Sequence, residues 1–252
     1  MKQSFITPIL ATCLLSPFGL LSVQADFFED FDSFTPEAGV PSPWANDNLV
    51  SGTSDLLNVT PAGAGYNGTL GAHGPSPNWW EAGQPTNYDT GELVHVFSYK
   101  AHLSPANGIP RVNAGVGKAV SGELLFFEME GGALTIAPSI GATTFPSVPI
   151  TKGPWYEISV TLVNDGGGNW SWSGEVGEDT GGGTFVPYAT MPGGALPAGY
   201  APESVQLNSI FSFVETGGTS ALDDVSFAVI PEPASILLVG LGLLALRGRR
   251  QR

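Results

Sequence analysis

Glycine and proline interrupt this chain so often that a long helix has little room to form in its central part. The sequence holds 34 glycines and 21 prolines among 252 residues. Between residues 36 and 218, no apolar pattern with a 3.6-residue period runs far enough for a substantial helix. Alternation of apolar and polar residues is common instead, as in strands that bury one face. The central part is therefore predicted to be all-β.

Ten short segments, separated by turn-forming residues, are predicted as strands. They cover residues 27–32, 56–60, 92–103, 123–129, 134–138, 155–164, 169–176, 185–190, 205–214 and 222–229. Many short strands with Gly- and Pro-rich joints are typical of two sheets packed face to face. We predict a two-sheet antiparallel β-sandwich of the jelly-roll type, with long loops at 35–55, 67–91 and 177–204. A signal helix before the sandwich and a membrane helix after it complete the predicted fold.

The stretch WYEISVTLVNDGGGNWSWSGEV carries the clearest hairpin pattern. Alternate residues from Tyr156 to Leu162 are apolar, so one face of this strand is predicted to be buried. Residues 164–168, NDGGG, supply the glycines that a tight turn with positive φ needs. A strand, a turn and a second strand are therefore expected over 155–176.

Residues 1–25 have the composition of a secretory signal peptide. Lys2 precedes an apolar stretch at 5–23, and cleavage is expected after the small residue Ala25. The chain's one cysteine, Cys13, lies inside this leader, so the exported part has to fold through burial alone, without disulfides. Residues 26–230 are predicted to form a single β-sandwich domain.

The chain ends with a Pro-Glu-Pro tripeptide, an apolar run and a basic tail. Pro231 and Pro233 are expected to keep Glu232 extended and open to a protease, because proline fixes φ and lacks a backbone donor. As a helix, the apolar run at 234–246 is about 20 Å long, less than the ~30 Å of a bilayer's hydrocarbon core. If the helix also includes the residues from 229, and if Arg247 extends its charged end to the membrane surface, its length comes closer to the thickness of the hydrocarbon core.

Arginines follow the apolar run at once, at Arg247, Arg249, Arg250 and Arg252. Basic residues stay on the cytoplasmic side, so they orient the helix with its N-terminal end outside. The order of tripeptide, apolar helix and basic tail over 231–252 resembles the PEP-CTERM sorting signal. That resemblance implies cleavage by an exosortase in the inner membrane of a Gram-negative bacterium. It also implies transient membrane insertion and release to the cell surface or an extracellular polysaccharide matrix.

The charge of the predicted domain is strongly negative. Between residues 26 and 230, the sequence has 22 acidic residues and only four basic ones, Lys100, Arg111, Lys118 and Lys152. An acidic surface of this kind repels nucleic acids and anionic membranes, and it favours divalent cations and neutral partners. Nucleic-acid binding is therefore excluded as a function class.

Acidic residues gather at the two ends of the predicted domain: Glu29, Asp30 and Asp32 in DFFEDFD, and Asp223 and Asp224 in ALDDVSF. Both phrases are similar to the terminal strands of carbohydrate-binding jelly-roll modules, which often pair their first and last strands. Carboxylates that converge from both ends would suit a structural calcium ion. The alternative is that they are solvated strand ends. Asp223 also falls on the apolar side of its alternating strand, where a carboxylate needs a partner.

Five aromatic residues are candidates for contact with a ligand. Trp170 and Trp172 project from one strand face, and we interpret them as core residues. Trp79, Trp80 and Tyr88 lie in a predicted loop rich in Gly, Pro and Asn, where burial is less assured. They are therefore the predicted platform for stacking on a sugar.

Glu128 and Glu130, in ELLFFEMEGG, share one face of a predicted strand. Acid pairs on jelly-roll glucanases are similarly spaced, and their separation can approach the ~5 Å of a retaining glycosidase. The third acid of those enzymes is missing, because Gly131, Gly132 and Ala133 follow.

The sequence leaves three functions open. The first is a non-enzymatic exported β-sandwich that contributes to, or binds, an extracellular polysaccharide matrix. The second is a secreted glycan hydrolase on the same scaffold, with Glu128 and Glu130 as its carboxylates. The third is a surface coat without a ligand. An open cleft around those two glutamates would favour the hydrolase.

Overall fold

The computed structural model of the chain describes residues 24–44, 55–74, 79–86, 88, 93–105, 110–118, 123–210 and 220–230. The predicted sorting signal lies outside these ranges, and so does the predicted leader apart from its last two residues. Within the described ranges, regular structure is almost entirely β-strand. No helix among these residues combines the length and the apolar composition needed to cross a bilayer.

The described residues form strands β1 to β16. In chain order they are β1 (Gln24–Glu29), β2 (Asp55–Leu56), β3 (Asn58–Val59), β4 (Ala72–His73), β5 (Trp79–Pro85), β6 (Val94–His102), β7 (Arg111–Lys118), β8 (Glu123–Glu130), β9 (Thr135–Ile140), β10 (Thr143–Thr144), β11 (Val148–Pro149), β12 (Trp155–Asn164), β13 (Trp170–Asp179), β14 (Phe185–Ala195), β15 (Ser204–Ile210) and β16 (Ala221–Ile230). A turn of 3₁₀ helix lies at Tyr66–Gly68.

These strands form two sheets. The first sheet has the order β14-β13-β12-β6-β16-β4-β3, with β1 also paired to β16. The second sheet has the order β10-β9-β8-β7-β15-β5-β2, with β11 paired to β9. Pairing is antiparallel apart from the short contact of β2 with β5. The predicted two-sheet antiparallel sandwich is confirmed, and the first and last strands do pair, as β1 and β16.

The facing sides of the two sheets bury one continuous set of apolar side chains. On β12, the alternate side chains from Tyr156 to Leu162 point inward and are fully buried, as their pattern predicts. Trp170 and Trp172 on β13 are 4% and 3% exposed, which confirms that they are core residues. Burial of each large apolar side chain contributes roughly 1.5–3 kcal/mol. This core holds both sheets in place as scaffolds for their outer faces.

Four strands of the second sheet, β5, β7, β10 and β11, lie where the sequence predicts no strand. β5 falls inside the predicted loop at 67–91, and no strand is predicted over β7. The glycines of β7 weaken its strand pattern, but the packing of the neighbouring strand requires a glycine at position 115. A β-carbon on Gly115 would lie 2.7 Å from the ring atom Cδ1 of Phe126 on β8. The neighbouring ring therefore occupies the space that a side chain would need.

A β-bulge in β16 changes the side on which Asp223 lies. Phe227 is opposite Phe97 in the core, but the register shifts between Asp223 and Ser226, so Asp223 lies opposite Lys100 on the outer side of the sheet. It is buried there because the segment that contains Tyr66 and Thr69 covers it. Asp224, inside the bulge, has a φ of 46°. The prediction that Asp223 shares the core side of the strand is therefore wrong, because the extra residue of the bulge reverses the alternation.

Candidate functional site

Polar side chains lie on the outward side of the second sheet, opposite the side that packs into the core. Ala82, Ala114, Phe127 and Leu207 point into the core from β5, β7, β8 and β15, so the residues between them point outward. We call the outward set the polar face. Its described side chains are Glu81, Arg111, Asn113, Phe126, Glu128, Glu130 and Gln206. Strand register joins them into one surface across four neighbouring strands.

Arg111 ties the two glutamates of the polar face together. Its Nη2 donates a hydrogen bond of 2.8 Å to Oε1 of Glu130, and its Nη1 lies 3.3 Å from Oε1 of Glu128. All three side chains remain partly exposed, at 32%, 23% and 29%. Burial raises the pKa of Glu128, the charge of Arg111 opposes that rise, and Glu130 adds to it. This cluster is the part of the polar face that a ligand can reach.

Beside the cluster, the polar face has a buried floor. Glu81 and Gln206 are fully buried, and Asn113 is 4% exposed. Nε2 of Gln206 donates a long hydrogen bond of 3.5 Å to Oε2 of Glu81. Within the described residues, Oδ1 of Asn113 accepts no hydrogen bond. A buried acceptor without a donor costs roughly 1–3 kcal/mol and is uncommon in folded proteins.

Phe126 adds an aromatic surface to the polar face. Its ring lies against the backbone of β7 at Gly115, where the missing side chain leaves room for it. The ring is partly exposed, although its neighbours Leu125 and Phe127 are buried. An aromatic ring held over a glycine can stack on the apolar face of a sugar. The polar face therefore combines charge, hydrogen-bonding groups and a flat apolar surface.

The structure brings the predicted pair Glu128 and Glu130 together on one face, as their spacing predicts. Both carboxylates contact the same guanidinium from the same strand. A retaining glycosidase instead places its two carboxyl groups on either side of the scissile bond. The cluster is therefore suited to hydrogen bonding and to fixing charge.

The predicted calcium residues near the N-terminus each contact nearby protein groups. Glu29 accepts hydrogen bonds from the backbone N–H of Phe31, at 2.9 Å, and from Nε1 of Trp44, at 3.3 Å. Asp30 accepts a hydrogen bond from the backbone of Asp32 at 3.2 Å. Asp32 in turn accepts one from the backbone of residue 70 at 2.9 Å. These carboxylates bind the segment that follows β1 to itself and to the segment around residue 70.

The second acidic pair anchors the segment at 61–70. The carboxylate of Asp223 accepts hydrogen bonds from the backbone N–H of Tyr66, at 2.8 Å, from Oγ1 of Thr69, at 3.2 Å, and from the backbone of Asp224. Asp224 forms an ion pair with Lys100, whose ammonium lies 3.8 Å from the ring centroid of Tyr66. No group of three acidic, histidine or cysteine side chains in the described ranges could hold one metal ion. Calcium binding stays a prediction.

The three aromatic residues of the predicted platform lie in different surroundings. Trp79 begins β5, opposite residue 210 of β15, and Trp80 packs partly buried against the core. Tyr88 lines a cleft of about 370 Å³ together with Trp170 and Tyr200. Their joint role as a platform is still a prediction, and the loop expected around Trp79 and Trp80 is a strand.

A second, larger cleft lies on the outer face of the first sheet. It measures about 570 Å³, and its lining includes Glu157, Glu175, Phe185 and Tyr188. Burial raises the pKa of Glu157, while the nearby charge of Lys100 opposes the rise. Neither cleft is lined by Glu128 or Glu130.

Sequence reasoning missed most of the polar face. Only Glu128 and Glu130 are predicted from the sequence, whereas Glu81, Arg111, Asn113 and Gln206 belong to strands that meet only in the folded sheet. The pattern VNAGV on β7 does carry a period of two, with Asn113 and Gly115 between buried apolar residues. This alternation is the sequence signal that could predict β7, but the glycines make the pattern hard to recognise.

The C-terminal residues match a known motif. Residues 229–252 match the family model of the PEP-CTERM protein-sorting motif. This match confirms the predicted sorting signal and indicates an exported protein. No curated protein sequence matches the chain.

Several solved structures resemble the described fold at low sequence identity. The PL-14 alginate lyase from Aplysia kurodai has a TM-score of 0.47 and 8% identity, over 83% of this chain and 100% of that one. The carbohydrate-binding module CBM66 from Bacillus subtilis gives 0.37 and 7%, over 71% and 94%. The glycoside hydrolase family 131 catalytic domain from Coprinopsis cinerea gives 0.39 and 12%, over 81% and 92%.

Proposed function

We propose that this exported protein binds a polysaccharide without cleaving it, and that its sorting signal delivers it to the cell surface or extracellular matrix. An exosortase in the inner membrane of a Gram-negative bacterium processes the signal. The observation that carries the proposal is the polar face. Four of its side chains, Arg111, Phe126, Glu128 and Glu130, are partly exposed on two paired strands and combine charge with an aromatic ring.

A sugar ring matches this set of groups. Its hydroxyls both donate and accept hydrogen bonds, and its C–H faces stack on aromatic rings. Glu128 and Glu130 offer acceptors, Arg111 fixes their positions, and Phe126 offers the stacking surface. Sites on strands are already rigid, so little conformational entropy is lost on binding.

Replacing Phe126 by alanine is expected to weaken polysaccharide binding at least about tenfold, because stacking of one ring contributes on the order of 1.5 kcal/mol. Phe28 on β1, an aromatic side chain with 44% exposure on the first sheet, provides the matched control. Calorimetric titration of the full-length protein in detergent with soluble polysaccharide fragments measures both variants. An equal loss for the Phe28→Ala and Phe126→Ala variants would contradict a site on the polar face.

A secreted glycan hydrolase is the second candidate, and one observation favours it. The raised pKa of Glu128 is what a general acid requires. Release of new reducing ends during the same titration, abolished by Glu128→Gln, would identify catalysis. Binding without release of reducing ends supports the non-enzymatic proposal.

Removal of residues 231–252 is expected to abolish delivery to the cell surface or extracellular matrix, because the proposed exosortase site and membrane helix go with them. Changing Arg247, Arg249 and Arg250 to serine should have a similar effect, whereas lysine at all three positions keeps the positive charge and serves as control. Cell fractionation with antibody detection measures the distribution. An unchanged extracellular fraction after the truncation would contradict exosortase sorting.

A further inference from the structure

We infer that this protein has a second polysaccharide-binding site, on the opposite side of the sandwich from the polar face, and that it thereby joins two polysaccharide chains. The site is the cleft of about 570 Å³ on the outer face of the first sheet, which we call the outer cleft. All of its lining residues belong to the described part of the protein. The inference rests on the proposed function, because joining two polysaccharide chains requires the polar face as well.

Strands β12, β13 and β14 line the outer cleft. Glu157 and Ser159 point outward from β12, because the residues that alternate with them are fully buried in the core. Glu175 points outward from β13, where register places it directly opposite Ser159 on one side and Thr190 of β14 on the other. The volume of the cleft falls within the roughly 300–1,000 Å³ of ligand sites in proteins. The structure therefore provides space for sugar rings beside hydroxyl and carboxylate groups.

Phe185 gives the outer cleft an aromatic surface that neighbouring residues hold in place. It lies over Gly177 of β13, where an added β-carbon would be 3.1 Å from Cβ of Phe185. On another side, the ring of Tyr66 packs against it with the ring centroids 5.2 Å apart. The side chain of Phe185 nevertheless remains partly exposed. A ring fixed over a glycine can stack on the apolar face of a sugar, and the polar face contains the same arrangement.

The carboxylates of the outer cleft are acceptors that a glycan can satisfy. Glu157 is half-buried, and no described residue donates a hydrogen bond to its carboxylate. Lys100 lies opposite Glu157 in register, but its ammonium forms an ion pair with Asp224 instead. Glu175 is exposed. Sugar hydroxyls supply donors for both glutamates, whereas an anionic polymer would be repelled by them, so a neutral polysaccharide is the expected class of ligand.

The outer cleft and the polar face lie back to back. One belongs to the first sheet and the other to the second, and the shared apolar core lies between them. Packed sheets are about 10 Å apart, and the side chains on their two outer faces point in opposite directions. A short oligosaccharide therefore cannot contact both sites at once. Each protein molecule is expected to hold two separate polysaccharide chains at a fixed separation.

Calorimetry counts the sites. The full-length protein, at one copy per lipid nanodisc, is titrated with cellohexaose, laminarihexaose and mannohexaose. For at least one of these probes we expect two hexamers bound per protein molecule. Phe185→Ala and Phe126→Ala should each weaken one site at least about tenfold and leave the other unchanged. Phe28→Ala, which removes an exposed ring of the first sheet outside the outer cleft, is the matched control and should keep both sites.

A second variant tests the outer cleft without disturbing the packing of Phe185. Glu175→Gln, at an exposed position, should weaken the same site as Phe185→Ala by roughly threefold or more, because hydrogen bonds to a charged acceptor are lost. Glu37→Gln, at another exposed position outside the cleft, removes the same charge and should leave both sites unchanged. Equal effects of these two variants would indicate an influence of net charge alone and would overturn the inference.

The joining of two polysaccharide chains is measured on a surface coated with hydroxyethylcellulose, laminarin or mannan, whichever matches the hexamer that binds best. The coated surface captures the nanodiscs, and fluorescently labelled polysaccharide of the same kind is then added. The unmodified protein and Phe28→Ala should retain the label, whereas Phe126→Ala and Phe185→Ala should be captured but lose most of it. Two sites in calorimetry without retained label would overturn the inference.

The outcomes separate this inference from the proposed function. A single site that Phe126→Ala weakens and Phe185→Ala leaves unchanged overturns the inference, while the proposed function stands. A single site that only Phe185→Ala weakens overturns the inference and also the placement of binding on the polar face. If none of the three hexamers binds, the inference and the proposed function both fall.

Discussion

Replacement of Gly193 by alanine is expected to lower the free energy of unfolding by about 3 kcal/mol or more. Gly193 lies on β14 with a φ of +70°, and a β-carbon there would be 1.8 Å from the carbonyl oxygen of Trp172 on β13. The obstacle is backbone in the middle of a paired strand, so it cannot rotate away. Positive φ costs an alanine roughly 1–2 kcal/mol, and the overlap adds a further ~1–3 kcal/mol.

Gly199 separates these two contributions. It also has a positive φ, of +87°, but an added β-carbon would meet nothing within 4 Å. Gly199→Ala should therefore lose only about 1 kcal/mol, from the backbone conformation alone. Urea unfolding followed by tryptophan fluorescence measures both variants. Similar losses at the two positions would mean that the approach of β13 to β14 is looser than the structure shows.

A second large effect is expected from pH at Asp223. Burial raises the pKa of this carboxyl to about 7 from an ordinary value near 3.8. Between those two values the folded chain binds more protons than the unfolded chain, so the contribution of Asp223 to stability falls as pH rises. The change amounts to as much as about 4 kcal/mol over the full window. The reason is that burial destabilises the charged carboxylate form of Asp223 relative to its neutral form.

The Asp223→Asn variant isolates this effect, because asparagine keeps the shape and an acceptor oxygen for the backbone of Tyr66. The stability difference between wild type and variant should move in favour of the variant from about pH 4 to 7. His73 changes in the opposite sense: burial lowers its pKa to about 4, so its contribution is lost as pH falls below 6.5. The effect of His73 is the same in wild type and variant, so it cancels when their stabilities are subtracted. In the wild-type curve alone, the opposite pH effects of Asp223 and His73 would offset each other. A difference that is constant with pH would contradict a buried, titrating Asp223.

Strands with a long, clear alternation of apolar and polar residues could be predicted from the sequence, as β12 shows. The β12–β13 hairpin is confirmed closely, since its turn is fixed locally: Oδ1 of Asn164 accepts hydrogen bonds from the backbone of Gly166 and Gly168. β5 and β7 were missed for a common reason. Glycine, proline and polar residues make up much of each strand, so the composition of both resembles that of a loop.

Apolar alternation along a strand also explains how much of the candidate site could be predicted. Glu128 and Glu130 lie on one strand with apolar alternation, and spacing alone shows that they share a face. Arg111 is 17 residues before Glu128 in the chain, and its place beside that residue depends on strand register. Likewise, the bulge that turns Asp223 outward depends on one residue of positive φ, which alternation cannot reveal. A polar face built from several strands therefore cannot be predicted when each segment of the sequence is considered separately.

The position of β16 has a mechanical consequence. Residues 225–229 are hydrogen-bonded to β1 on one side, and residues 226–230 to β6 on the other, and the predicted sorting signal starts at the next residue, Pro231. If the sorting signal is held in the membrane as proposed, a pull on it acts along the axis of a strand inside the sheet. Such a load shears two ladders of hydrogen bonds at once instead of peeling them one at a time. The sandwich is thus expected to resist extraction forces at the point where it is tethered.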